Sequence, residues 1–129
     1  MKINCADAIT LITGNLFCSV DRLYTLYNEL TGDNLYTHQL PRAYRTCAPF
    51  IRKELPDLTA SLRATYQANE DIAFSPEWEK VLVNAQKVFG DEFTVTPIAN
   101  WEHVNPLEEL TRMVGKDKII VVDLGPEAA

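Results

Sequence analysis

The chain lacks most of the signatures by which a small protein declares a chemistry. Its three cysteines, Cys5, Cys18 and Cys47, are odd in number and widely spaced, which speaks against a disulfide framework and suits reduced, buried thiols. No C-x-x-C or H-x-x-x-H pair occurs, so the ligand spacing of a structural or catalytic metal is missing and no metal site is expected. Neither G-x-G-x-x-G nor G-x-x-x-x-G-K-[ST] is present, so no glycine loop cradles a nucleotide phosphate and no cofactor is expected. No serine, cysteine or lysine nucleophile sits in a recognisable frame. Apolar runs all fall well short of the ~20 residues of a membrane-spanning helix. The start carries one basic residue, Lys2, an interrupting Asp7 and no clean small-residue cleavage site, so it does not read as a signal peptide. A cytoplasmic protein with no membrane partner is the expectation.

What is present suffices for one core. A chain of 129 residues with 47% hydrophobic content reads as a single domain, 1–129, and surface scaling buries about two thirds of the surface the unfolded chain exposes. The net charge of −6 is unevenly placed: seven basic against six acidic residues through Ala64, then five against twelve from Thr65 onward, a C-terminal half at −7. Direct binding to nucleic acid is disfavoured, because neutralising phosphates needs clustered positive charge. A partner protein with a basic surface suits that half better.

Periodicity supplies the elements. Asn4 and Asp7 have cap and third-position spacing before a helix with Cys5, Ala8, Ile9 and Ile12 on one face, stopped by Gly14. Ser19 caps a second helix with Val20, Leu23, Leu26, Tyr27 and Leu30 inward, ending at Gly32. A third runs from Thr37 or Pro41 to Leu55 with Leu40, Ala43, Cys47, Phe50 and Ile51 inward, and Pro49 inside it predicts a kink or break. Its outer face carries Arg42, Arg45, Arg52 and Lys53. Leu58, Leu62 and Tyr66 mark a fourth helix to about Ala68. Ser75-Pro76-Glu77 opens a fifth, with Trp78, Val81, Leu82, Ala85, Val88 and Phe89 inward up to Gly90. Phe93–Thr96 alternates as a half-buried strand, Asn105-Pro106 opens a short helix bearing Leu107, Leu110, Met113 and Val114, and Lys118–Leu124 is a nearly continuous apolar strand. Strand, helix, strand within about thirty residues predicts a βαβ unit with parallel strands. The fold class expected is therefore α+β: a helical N-terminal part packed with a small C-terminal α/β unit, the seam falling near 69–75.

One stretch is unusually dense. Leu30–Arg42 packs a helix stop at Gly32, an Asp33-Asn34 turn and a helix start near Thr37 into thirteen residues. His38, Gln39 and Arg42 follow within about a turn and a half, so a titratable ring, an amide and a guanidinium share one surface. This run, Thr31-Gly32-Asp33-Asn34-Leu35-Tyr36-Thr37-His38-Gln39-Leu40-Pro41-Arg42-Ala43, resembles a motif of a family of small uncharacterised bacteriophage and prophage proteins. The likeness takes in Thr13, Gly14, Leu16, Phe17 and Cys18 before it and Cys47-Ala48-Pro49 after it. Trp101, Asn105-Pro106-Leu107-Glu108-Glu109-Leu110 and Ile119–Asp123 extend it over most of the chain. The resemblance implies a phage or prophage setting and no particular activity.

The candidate binding residues are Asp33, Asn34, His38, Gln39 and Arg42 in the corner, and Trp101, Glu102, His103, Glu108 and Glu109 in the acidic half; no catalytic residue is assigned. Trp101 and His103 beside Glu102 read as an exposed aromatic contact point. Two functions fit. The first is a non-enzymatic phage accessory protein that binds a basic surface of a host protein, an inhibitor of a nucleic-acid-handling or defence protein in the anti-CRISPR manner. The second is a small ligand-binding domain or enzyme with a site around His38 and Arg42. Backbone carbonyls occupying His38 and Arg42 would count against the second, and a pocket with convergent polar groups would favour it.

Overall fold

The computed structural model describes residues 1–68 and 78–114, and the structural statements that follow concern those residues. Asn4 and Gly14 bracket a helix, α1 (Cys5–Thr13), in which seven of nine residues are buried, so it is enclosed on nearly every side rather than amphipathic. Enclosure makes its ends a problem, because the first amides and last carbonyls of a helix have no partners within it. At the N-terminal end the Asn4 side chain accepts from the Asp7 amide at 2.8 Å and the Asp7 carboxylate from the Asn4 amide at 3.1 Å, the reciprocal box that the spacing predicts. Asp91 reaches across from far along the chain to accept the Cys5 amide at 3.1 Å. At the C-terminal end Gly14 turns left-handed with φ 77°, and the Arg52 guanidinium donates to the Ile12 carbonyl at 2.9 and 3.2 Å.

The other elements are arranged around and beyond α1. They are β1 (Lys2–Ile3), α2 (Val20–Thr31), α3 (Leu40–Glu54), α4 (Pro56–Ala68), α5 (Trp78–Phe89), β2 (Phe93–Thr94) and α6 (Pro106–Val114), with a single 3₁₀ turn, Thr37–Gln39, before α3. Helices α3, α4 and α5 pack on α1, and α2 packs on α3. The core joins Ile9, Leu11 and Ile12 to Leu26, Leu30, Ala43, Cys47, Ile51, Leu58, Leu62, Val81 and Ala85. Cys5, Cys18 and Cys47 are free thiols, and burial pushes Cys5 and Cys47 up to about 11. Asp7 is wholly buried and pairs with Arg22 of α2 at 2.9 Å through Oδ2. Its Oδ1 has no hydrogen-bond partner among the described residues.

The fold is mostly helical, with one small sheet among the described residues, and that sheet corrects the parallel expectation. Phe93–Thr94 pairs antiparallel with Lys2–Ile3, in the register Lys2 to Thr94 and Ile3 to Phe93. The Met1 amine and carbonyl continue the pairing onto Val95 at 2.7 and 3.0 Å. The physical reason is local: the two extended residues before the Asn4 cap carry unpaired backbone groups, and the chain returning from Gly90 supplies partners for them. The expected strand Lys118–Leu124, the opening Ser75-Pro76-Glu77 and the seam near 69–75 lie outside the described residues.

Other expectations shift at the helix faces. Val20, Phe50 and Val88 were expected to point inward and are 54%, 41% and 72% exposed. Pro49 lies on the exposed side of α3, where the helix passes through it unbroken from Leu40 to Glu54. Thr37 does not cap α3; its hydroxyl bonds that of Tyr24. The largest inversion is in α6, where Glu109 is buried while Leu107, Met113 and Val114 are 51%, 55% and 39% exposed.

Gly14, Gly32 and Gly90 all end helices with positive φ, and the surroundings of the first two differ. A Cβ on Gly14 would lie 3.0 Å from the Tyr44 ring, which is itself held by Arg52 at 2.9 Å, whereas one on Gly32, at φ 72°, meets nothing within 4 Å. Gly32→Ala is expected to lose about 1 kcal/mol by strain alone, and Gly14→Ala about 2 to 3 kcal/mol because steric overlap adds to it. Urea midpoints of the two variants against the parent measure this ordering.

Candidate functional site

The corner forms because α2 ends at Gly32, whose amide closes on the Asn28 carbonyl at 2.8 Å, and the Asn28 side chain then accepts the Leu35 amide at 2.9 Å. Leu35 is thereby pinned into the core while Asp33 faces the segment that follows β2. The Gln39 side chain accepts the Tyr36 amide at 3.0 Å and turns its own amide inward.

Two carboxylates organise what gathers there. Asp33 Oδ2 accepts from Trp101 Nε1 at 2.9 Å and His103 Nδ1 at 2.8 Å, and Oδ1 accepts the Asn34 amide at 2.7 Å. Glu109 takes the Arg42 guanidinium by both oxygens at 2.8 and 3.0 Å, and the Gln39 amide at 3.1 Å. Arg42 also donates to the Glu102 carbonyl at 2.9 Å and lies 4.0 Å above the Trp101 ring, a cation–π contact. Gln39 donates to the Val104 carbonyl at 3.1 Å and His38 Nε2 to the Pro106 carbonyl at 2.6 Å. Asp33, His38, Gln39, Arg42, Trp101, Glu102, His103 and Glu109 thus meet, tying the corner to a segment about seventy residues later. Asn34 joins through its backbone amide only, and Glu108 stays at the rim, paired with Arg112 at 3.0 Å.

The electrostatics follow from these bonds. The Arg42 guanidinium holds Glu109 below the usual carboxylate range against the cost of its burial, with help from Gln39 and His38. At Asp33 burial pushes upward, but the donors Trp101 and His103 and the Asn34 amide outweigh it and hold the group low. Beside the clamp His38, Arg42, Glu102 and Glu109 line a pocket of about 280 Å³ together with Arg45, Arg112 and Met113. Arg45 was read only as part of the basic outer face of the third helix, and Arg112 escaped the sequence reading because nothing local marks it; tertiary packing brings both to this pocket. Among the described residues no group of three or more histidines, cysteines or acids is placed to hold a metal ion, and no helix is long and apolar enough to cross a membrane.

A carboxylate held low in the folded state stabilises it above its unfolded value and loses that contribution as pH falls through the folded value. Stability is therefore expected to fall as pH drops below about 5, where unfolded carboxylates begin to protonate. Glu109→Gln should cost about 2 kcal/mol at neutral pH and make the acid slope shallower, and Arg42→Lys should lose a similar amount because an ammonium cannot make the two-bond contact. Denaturant titrations at several pH values read both effects.

Comparison with known proteins reaches only part of this geometry. No curated protein and no solved structure matches the chain. Residues 4–61 match a family model described as a domain of unknown function, DUF7736. The chain is similar to that domain from the Asn4 cap of α1 into α4, a stretch that contains the corner and ends before the Trp101–Glu109 segment that the corner grips.

Proposed function

We propose that the chain is a phage or prophage accessory protein that works in the host cytoplasm by binding, without catalysis, a host protein with a basic surface, and so inhibits a defence or nucleic-acid-handling protein. The observation that carries the reading is the orientation of α6: Glu109 turns inward to Arg42, and Leu107 and Val114, seven residues apart on another face of the helix, are exposed. An apolar helix face bordered by the exposed carboxylates Glu102 and Glu108 has the composition of an interface, an apolar centre within a charged rim. The −7 of the C-terminal half favours a positively charged occupant and steers its approach. The phage setting rests on the likeness of the Thr31–Ala43 motif and its flanks to the phage and prophage family.

A small anionic ligand in the pocket beside His38 and Arg42 is the second reading, favoured by the 280 Å³ volume and by Arg45, which makes no ion pair among the described residues. Against it, His38 and Arg42 already donate to the carbonyls of Pro106 and Glu102. The two readings separate in one experiment. Tagged protein is used as bait in host lysate at low and high salt, beside Leu107→Asp/Val114→Asp, Glu102→Lys/Glu108→Lys and Arg45→Gln variants. A specific partner retained by the parent and by Arg45→Gln, lost with the apolar pair and weakened by added salt or charge reversal, is expected. Equal recovery by all variants would overturn the α6 surface.

A further inference from the structure

On α3, Pro49, Arg52 and Lys53 are spaced so that they share a face; on α4, Pro56, Thr59, Ala60 and Arg63 do the same, and the two faces enclose an open groove of about 380 Å³. The lining is apolar at the two prolines and Ala60 and cationic at Arg52, Lys53 and Arg63. Lys53 and Arg63 are exposed and make no ion pair or hydrogen bond among the described residues. Arg52 is fixed by its bonds to the Ile12 carbonyl and the Tyr44 hydroxyl, so one cation of the group is held in place. The acids nearby do not neutralise it. Glu54 is turned to the Thr96 amide at 3.0 Å, and Asp57, the one acidic residue between Glu54 and Arg63, does not line the groove.

Three like charges around one concavity, inside a chain whose net charge is −6, form a local reversal of the protein's field. We propose that this groove binds the phosphate of a small phosphomonoester, with Lys53 and Arg63 on the phosphate, the fixed charge of Arg52 beside it, and the organic body against Pro49, Pro56 and Ala60. A guanidinium matches two phosphate oxygens at once, an ammonium adds a mobile point charge, and the volume lies within the ~300–1,000 Å³ of small-ligand sites. The site recognises phosphate by side chains on two helix faces rather than by the backbone amides of a glycine loop. It shares no residue with the α6 surface or the corner, so it stands or falls independently of the binding role proposed above.

The test is calorimetric titration of the full chain with inorganic phosphate, adenosine 5′-monophosphate and adenosine, each at matched ionic strength, repeated with Lys53→Gln/Arg63→Gln. Both substituted residues are exposed, so the variant is expected to melt with the parent. Saturable binding of the monophosphate, weaker binding of phosphate, none of adenosine and a loss of about tenfold or more in the variant are expected. Equal affinity for phosphate and the monophosphate would overturn the role of the apolar lining. No saturable binding of either, or the same affinity in the variant, would overturn the site.

Discussion

A helix buried on nearly all sides cannot leave its ends to water, and that constraint arranges the rest of this molecule. The apolar run from Cys5 to Ile12 is driven inside by the surface it removes from water, but each unpaired amide or carbonyl carried in with it would cost roughly 1–3 kcal/mol. The partners come from widely separated places: Asn4 and Asp7 next door, Asp91 from the turn after α5, and Arg52 from the last turn of α3. Acids stand at the positive end of α1 and a guanidinium at its negative end, so caps and helix dipole agree. Once α3 and the Asp91 turn are anchored to the two ends of one helix, the returning chain runs beside Met1–Ile3 and the small sheet follows.

The corner is a second, weaker centre that depends on the first. Gly32 and Asn28 set its shape, but its polar side chains are satisfied from the other end of the chain, by Trp101, His103 and Glu109. The acidic half therefore divides into two populations. Asp91 and Glu109 are structural partners of the N-terminal half, whereas Glu102 and Glu108 keep their carboxylates at the surface. With Glu109 held inward by Arg42, the face of α6 that carries Leu107 and Val114 stays exposed, so the clamp that ties the corner to α6 also presents the surface assigned to partner binding.

Charge is sorted by the fold as much as by the sequence. The basic outer face of α3 separates into Arg42, engaged with Glu109 and Trp101; Arg52, engaged with α1; and Lys53, which remains free beside Arg63. One linear stripe thus supplies an interior brace, a helix cap and part of an open cationic groove.

Sequence by itself determined the local features of this protein. The Asn4–Asp7 box, the Ser19 cap, the helix stops at Gly14 and Gly32 and the burial of most of α1, of Leu26, Tyr27 and Leu30 in α2 and of Leu58 and Leu62 in α4 were legible, because capping and periodicity act within a few residues of one another. The candidate residues of the corner and of the Trp101–Glu109 segment could be named as two separate groups, but their meeting could not. Only the tertiary structure decided that Glu109 belongs to Arg42, that Phe93–Thr94 pairs with the first residues of the chain, and that the face of α6 carrying Leu107 and Val114 stays exposed. The reason is physical. A helix pattern records which residues share a face, not which face finds a partner, and in α6 the face that meets the corner is the one on which Arg42 and Gln39 satisfy Glu109.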